Sequence, residues 1–292
     1  MLAAPAYWQT TRYQLRLDRP LVMGIVNVTP DSFSDGGQFL GEAAAIRHCE
    51  QLLAEGADLL DIGAESSRPG APPVPLDEEL RRVLPVVRSA LQLGCAVSVD
   101  TYKPQVMQAV LDMGVDIIND IWALRQPGAL QAVAAHPSCG LCLMHMHREP
   151  QTMQTDTMQG DVVQQVGDFL KARVQAVQAL GFGPSQVAVD PGIGFGKTVD
   201  KNFSLLASPA TWHVAGCVQL VGWSRKSSLA AVVADGLAGL AEAAALSVQG
   251  RLVPSVVAAV LAVERGAQVV RVHDVRATVQ AMRVVAKLRS IA

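Results

Sequence analysis

The sequence predicts an α/β protein built as a (β/α)8 TIM barrel, and three observations carry that expectation. Eight short runs dominated by Val, Ile, Leu or Met each stop at polar or charged residues: Asn27, Asp61, Asp100, Asn119, His145, Asp190, Ser224 to Lys226, and Arg271 to His273. Runs such as Leu21 to Val26 and Val218 to Val221 are largely apolar rather than alternating. Strands look like this when helices cover one face and a barrel interior fills the other. A helix-like segment follows each run, and a length of 292 residues suits one such barrel, which takes about 250. The C-terminal rim of a barrel gathers its strand ends, so the polar stops converge on one place.

The elements follow in order. Residues 1–20 alternate loosely, with Tyr13, Leu15 and Leu17 set against Arg12, Gln14 and Arg16, which predicts a short N-terminal hairpin closing the bottom of the barrel. Gly41 to Glu55 places Ile46, Cys49, Leu52 and Leu53 on one helical face. Leu76 to Leu91 reads as a helix capped by Asp77, with Glu78 and Glu79 where the helix dipole favours negative charge. Further helices are expected over 104–113, 128–135, 160–180 and 200–207. The seventh connection, about 226–265, is longer than one helix needs. It predicts an extra helix around 238–250 before one starting near Pro254, where proline fits a first turn. The last helix spans 275–289, and no linker interrupts the chain, so one domain is expected over 1–292.

Composition narrows the function classes. Half the residues are hydrophobic and 17% are charged, enough for a large core. A net charge of -2, from 24 basic and 26 acidic residues without a basic run, argues against a nucleic-acid partner. The odd count of five cysteines (Cys49, Cys95, Cys139, Cys142, Cys217) falls mostly within apolar patterns and reads as buried thiols in a reducing compartment. Met1 to Trp8 lacks the features of a signal peptide, and no run reaches the roughly 18 apolar residues of a membrane span. A cytoplasmic protein with no membrane association is expected.

Two connections are unusually long and rich in Gly, Pro, Ser and Asp: Asn27 to Gln38 and Ala64 to Pro75. Irregular surface is the bland reading. Their place at the rim favours lids over a reaction.

Each motif has a competing structural explanation. Asp190 to Thr198 (DPGIGFGKT) superficially resembles a nucleotide-binding loop, but the pattern needs glycine where Pro191 stands. Cys139 and Cys142 have metal spacing, yet no second such pair exists, and alternation with Leu141 and Leu143 makes them part of a strand. His145 and His147 end that strand at the rim. Asp100, Asn119 and Asp190 could pair with neighbouring strands or with Lys226, or could accept from a flat ligand rich in N–H donors; the residue types alone admit both. Arg68, Arg225, Lys226, Arg271 and His273 supply cationic or donor groups around the same rim, which points to an anionic substrate group beside a neutral heterocycle. Surface salt bridges with Asp61, Glu65 or Asp274 would explain any one of these cations, but not all.

Laid in order, eight blocks resemble the dihydropteroate synthase family: MGIVNVTPDSFSDGG (23–37), DIGAESSRPGA (61–71), SVDTYKP (98–104), IINDI (117–121), CLMHMHREPQTMQ (142–154), DPGIGFGK (190–197), VGWSRKS (221–227) and RVHDV (271–275). The resemblance implies that p-aminobenzoate displaces pyrophosphate from 6-hydroxymethyl-7,8-dihydropterin diphosphate, with Mg2+ present. It implies pterin binding by Asp100, Asn119, Asp190 and Lys226, with Met144 and Gly222 lining the pocket. It implies Asn27 as a Mg2+ ligand, and Ser67, Arg68, Arg271 and His273 on the diphosphate. Phe195, Lys226 and Ser227 would border p-aminobenzoate, together with Phe33, Ser67, Arg68 and Pro69. Homodimers are usual in the family, and the apolar stretches Val256 to Val263 and Val279 to Leu288 could supply the interface. Ala64, Ser67 and the segment around Pro254 depart slightly from the family pattern, and Ser67 keeps the hydroxyl. A pterin-dependent methyltransferase barrel is the runner-up, but it should lack the SRKS and RPG elements. A non-catalytic pterin-binding homologue should lack Asn27, Arg271 or His273, and all three are present.

Overall fold

A computed structural model describes residues 5–28, 37–66, 70–149, 153, 155–235, 247 and 249–291. Two short strands, β1 (Tyr7–Gln9) and β2 (Gln14–Arg16), pair antiparallel. Eight parallel strands then close a barrel: β3 (Leu21–Asn27), β4 (Leu59–Gly63), β5 (Ala96–Asp100), β6 (Ile117–Asp120), β7 (Gly140–Met144), β8 (Val187–Asp190), β9 (Val218–Val221) and β10 (Val269–Val272). Each strand pairs with its sequence neighbour, and β10 returns to β3. The helices are α1 (Gly37–Ala54), α2 (Leu76–Ala90), α3 (Pro104–Asp112), α4 (Ala129–Ala134), α5 (Val162–Gln178), α6 (Val199–Ala207), α7 (Pro209–Trp212), α8 (Ser227–Asp235), α9 (Leu252–Glu264) and α10 (Val275–Arg289).

Strand alternation divides the apolar residues into two sets. Leu21, Met23, Leu59, Ala96, Ile117, Cys142, Ala188, Val218, Leu220 and Val269 pack together in the lower barrel interior. Their neighbours, among them Val22, Leu60, Val97, Ile118, Leu141 and Val270, join the helix faces in a larger outer core. Trp8 of β1 is fully buried in the inner set, so the hairpin stoppers the barrel as its alternation predicts. The Trp8 indole donates to the Gln186 carbonyl at 3.1 Å, and Arg12 pairs with the buried Asp116 at 2.5 Å.

Four local expectations change. β4 continues to Gly63, because Ile62 and Gly63 pair with Val26 and Asn27; Asp61 therefore sits mid-strand, inside the barrel rather than at its rim. α2 starts at Leu76 after Pro75, with no side-chain cap, so Asp77 acts within the first turn through its charge. α1 begins at Gly37 rather than Gly41. α7 was not anticipated; Pro209 opens a new turn directly after Ser208. The helix expected around 238–250 falls largely outside the described residues, and a 3-10 turn at Gln249–Arg251 precedes α9. Cys49, Cys139, Cys142 and Cys217 are buried free thiols, and Cys95 is half-buried. Among the described residues no helix is long and apolar enough to cross a membrane.

Candidate active site at the barrel mouth

Two or four residues beyond the apolar inner layer, the same inward-facing positions turn polar. They are occupied by Asn27, Asp61, Ser98, Asp100, Asn119, Asp190, Arg271 and His273, with Met144 and Gly222 completing the ring. Contacts bear out the convergence. Arg271 donates through Nε to Asp61 Oδ2 at 2.5 Å and through Nη2 to Asp100 Oδ2 at 2.8 Å, joining residues 210 and 171 positions apart. Asp61 also accepts from Ser98 Oγ at 2.6 Å and from Asn119 Nδ2 at 3.0 Å. Asp61 and Ser98 are wholly buried, so this network floors the mouth, while half-buried Asp100 and Arg271 rise from it.

The electrostatics follow from burial. Desolvation pushes the Asp100 carboxyl up to about 7, against the pull of Arg271. Burial works against the Arg271 charge, but Asp61 and Asp100 outweigh it and hold the guanidinium pKa above its ordinary value. Asp190 is likewise raised by burial and eased by the Gly192 N–H. Burial lowers the Lys226 ammonium to about 8, with Asp190 acting to keep it charged.

The turn after β8 builds the opposite wall. Asp190 Oδ1 accepts from Gly192 N at 2.7 Å. Gly192 has φ +68°, and a Cβ there would lie 1.8 Å from the His145 carbonyl oxygen, so only glycine fits. Lys197 is buried and donates to the carbonyls of Gly192 (2.8 Å) and Phe195 (3.1 Å), with His145 Nδ1 at 3.0 Å. Its amine is thus spent on its own loop and on His145 after β7, unlike the lysine of a nucleotide-binding loop. The Lys226 ammonium sits 4.3 Å from the centre of the Phe195 ring. Ile121, Met144, Met146, Met153 and Phe195 form one apolar cluster, flanked by Tyr102 and Trp122.

His273 meets Ser224 Oγ through both its backbone N (3.1 Å) and Nδ1 (3.0 Å), which fixes the imidazole against the strand end of β9, two residues after Arg271 in sequence. Asn27 ends β3 half-buried, and Ser227 opens α8 on the surface. Arg225 pairs with Asp274 at 2.6 Å, the salt bridge that competes with an anion contact for it. Phe33, Ser67, Arg68 and Pro69 lie outside the described residues. Ser98, Lys197, Met146 and Met153 lie among these residues without having been singled out from the sequence, and Asp61, expected at the rim, lies below it. Once the inward face is known, alternation places Asp61 and Ser98 on it, since Asp61 is two residues from Leu59 and Ser98 two from Ala96.

Comparison with known proteins identifies relatives in sequence and in fold. The family model described as pterin binding enzyme matches residues 23–273. A dihydropteroate synthase of Neisseria meningitidis serogroup C is 45% identical over 279 residues, covering 94% of this chain and 95% of that protein. The crystal structure of Burkholderia cenocepacia dihydropteroate synthase complexed with 7,8-dihydropteroate superposes with a TM-score of 0.86 at 49% identity, covering 98% of each chain. Xanthomonas albilineans dihydropteroate synthase with 4-aminobenzoic acid gives a TM-score of 0.87 at 44% identity, covering 98% of this chain and 100% of the other.

Proposed function

The chain belongs to the dihydropteroate synthase family of pterin-binding enzymes, and from that premise we propose how its residues divide the work. The reaction joins p-aminobenzoate to 6-hydroxymethyl-7,8-dihydropterin diphosphate, giving 7,8-dihydropteroate and pyrophosphate. The C–O bond to the diphosphate breaks, the arylamine nitrogen bonds to the exocyclic carbon, and one N–H proton goes to solvent. Asp100, Asn119 and Asp190 accept from the pterin's amino and ring N–H groups, and Lys226 donates to its carbonyl oxygen. Met144 and Gly222 line the ring's pocket. Arg271 and His273, with Ser67 and Arg68, take the diphosphate, whose negative charge grows as it leaves. Phe195, Lys226 and Ser227 border the arylamine, with Phe33, Ser67, Arg68 and Pro69 on the two long connections. The observation that most supports this reading is the Asp61–Arg271–Asp100 chain, which brings the β10 guanidinium against the β5 carboxylate proposed for the pterin.

Electron release from the dihydropterin ring stabilises a cation at the exocyclic carbon, so displacement is dissociative and the neutral arylamine needs no dedicated base. Asn27 offers a single carboxamide oxygen at the end of β3. That suits Mg2+, which is held chiefly by substrate phosphates and one or two protein ligands. Asn27 would hold such an ion, whose charge would help to neutralise the leaving diphosphate. Five free thiols support placement in the reducing cytoplasm. Val253, Val257, Val284 and Leu288, exposed on α9 and α10, support a homodimer through these helices. The test is Mg2+-dependent pyrophosphate release that requires both substrates; absence of release with both present would refute the activity.

The raised Asp100 pKa gives a pH dependence. Above about 7 the carboxylate is ionised and accepts from the pterin. Below it the group is protonated and loses an acceptor, so affinity for a pterin fragment should fall by up to about tenfold per pH unit. Calorimetry between pH 5.5 and 7.5, below the range in which Lys226 loses its charge, reads this limb, and Asp100→Asn should flatten it at a lower affinity. A wild-type affinity independent of pH over that range contradicts the assignment of Asp100.

A further inference from the structure

Asn202, on α6, is a wholly buried carboxamide that the reaction does not use. Its Oδ1 accepts from Gly194 N at 2.8 Å, within the turn after β8. Its Nδ2 donates to Ser228 Oγ at 2.8 Å, in the first turn of α8, and to the Lys197 carbonyl at 3.3 Å. A buried amide satisfied at both ends by two different elements joins them, because neither partner can leave without orphaning a polar group.

What those elements carry decides the consequence. Gly194 precedes Phe195, and Ser228 follows Lys226 and Ser227. Gly194 has φ +82°, and a Cβ there would meet the Lys226 side chain at 3.3 Å, so the glycine backbone forms the surface on which the Lys226 methylenes rest. The Lys226 ammonium then lies 4.3 Å from the centre of the Phe195 ring. One carboxamide therefore links the Phe195 turn to the Lys226–Ser227 helix start.

We propose that Asn202, with Ser228, is a positioning pair that fixes the distance between Phe195 and Lys226 and so determines affinity for the arylamine substrate. This rests on the assignment of Phe195, Lys226 and Ser227 to the p-aminobenzoate site. Asp190 is held independently, by its place in β8 and by Gly192 N, so the acceptor wall of the pterin site keeps its geometry without Asn202.

The experiment is steady-state kinetics on Asn202→Leu, Ser228→Ala, the double variant and Phe195→Ala, with thermal unfolding run alongside. Asn202→Leu should raise KM for p-aminobenzoate about tenfold or more, as loss of buried hydrogen bonds implies, while KM for the pterin diphosphate, which keeps Asp100, Asn119, Asp190 and Arg271 even if Lys226 shifts, should rise clearly less. Ser228→Ala should give a smaller shift of the same kind, and it tests the pair even if Asn202→Leu fails to fold. The double variant should resemble Asn202→Leu alone, because both substitutions cut one link. Equal rises in both KM values, a lower Tm with unchanged kinetics, or additive effects would overturn the proposal. Phe195→Ala separates the two readings: if it leaves KM for p-aminobenzoate unchanged, the site assignment has failed instead.

Discussion

Arg271→Ala is expected to cut turnover by about 10²–10³-fold, the scale of losing one preorganised donor to a leaving anion, and to destabilise the fold by about 3–5 kcal/mol. The second effect comes from the free protein. Asp61 is wholly buried and takes one arm of the guanidinium, while Asp100 takes another. Without Arg271 two carboxylates face each other in the barrel mouth with no cation between them. Ser98 and Asn119 still donate to Asp61, but neither brings charge. Arg271→Lys should keep most of the stability and recover little activity, since one ammonium cannot span both acids and present a planar fork to phosphate. Combining Arg271→Ala with Asp61→Asn should restore part of the stability and none of the turnover. Chemical denaturation and steady-state kinetics on the same samples check this. Wild-type stability in Arg271→Ala would mean that the acids do not depend on the guanidinium.

That dependence shows where sequence reading reaches and where it stops. Eight apolar runs ending in polar residues contain the barrel, because buried parallel strands leave a nearly continuous apolar trace and the closed sheet brings their ends together. That Asp100, Asn119, Asp190 and Arg271 lie near one another at the rim was legible for the same reason, while their inward parity was not, since a continuous apolar run does not mark which face is which. Asp61 was misplaced because a polar residue in an apolar run looks like the end of that run. Only the neighbouring strand, pairing through Gly63, extends β4 past it. Lys197 and Asn202 leave no trace in periodicity: a lysine after a glycine-rich turn and an asparagine in an amphipathic helix both look like solvent-facing residues. Their burial follows from tertiary packing of α6 and α8 against the β8 turn. Arg225 shows the opposite case. Its rim position admits either an anion contact or a salt bridge with Asp274, and the structure has the salt bridge.

Asp190→Ala is expected to weaken binding of a pterin fragment lacking the diphosphate by roughly 1.5–3 kcal/mol, about 10- to 150-fold, as for a hydrogen bond to a charged group. One oxygen of Asp190 is already oriented by Gly192 N, so the other is presented to a ligand without further ordering. Alanine removes that acceptor, leaves the Gly192 N–H unpaired, and takes from Lys226 the carboxylate that favours its charged form. Asp190→Asn keeps an acceptor for Gly192 and should lose less. Arg271→Lys is the matched control, because it leaves a cation near Asp61 and Asp100 and should bind the fragment nearly as wild type does while turning over slowly. Calorimetry on the three variants separates the roles. Equal losses of fragment affinity in Asp190→Ala and Arg271→Lys would mean that the heterocycle and the diphosphate do not occupy the separate walls assigned to them. Selective loss in Asp190→Ala would tie binding to the β8 wall and turnover to the β10 strand end, two contributions that one barrel mouth keeps apart by carrying them on different strands.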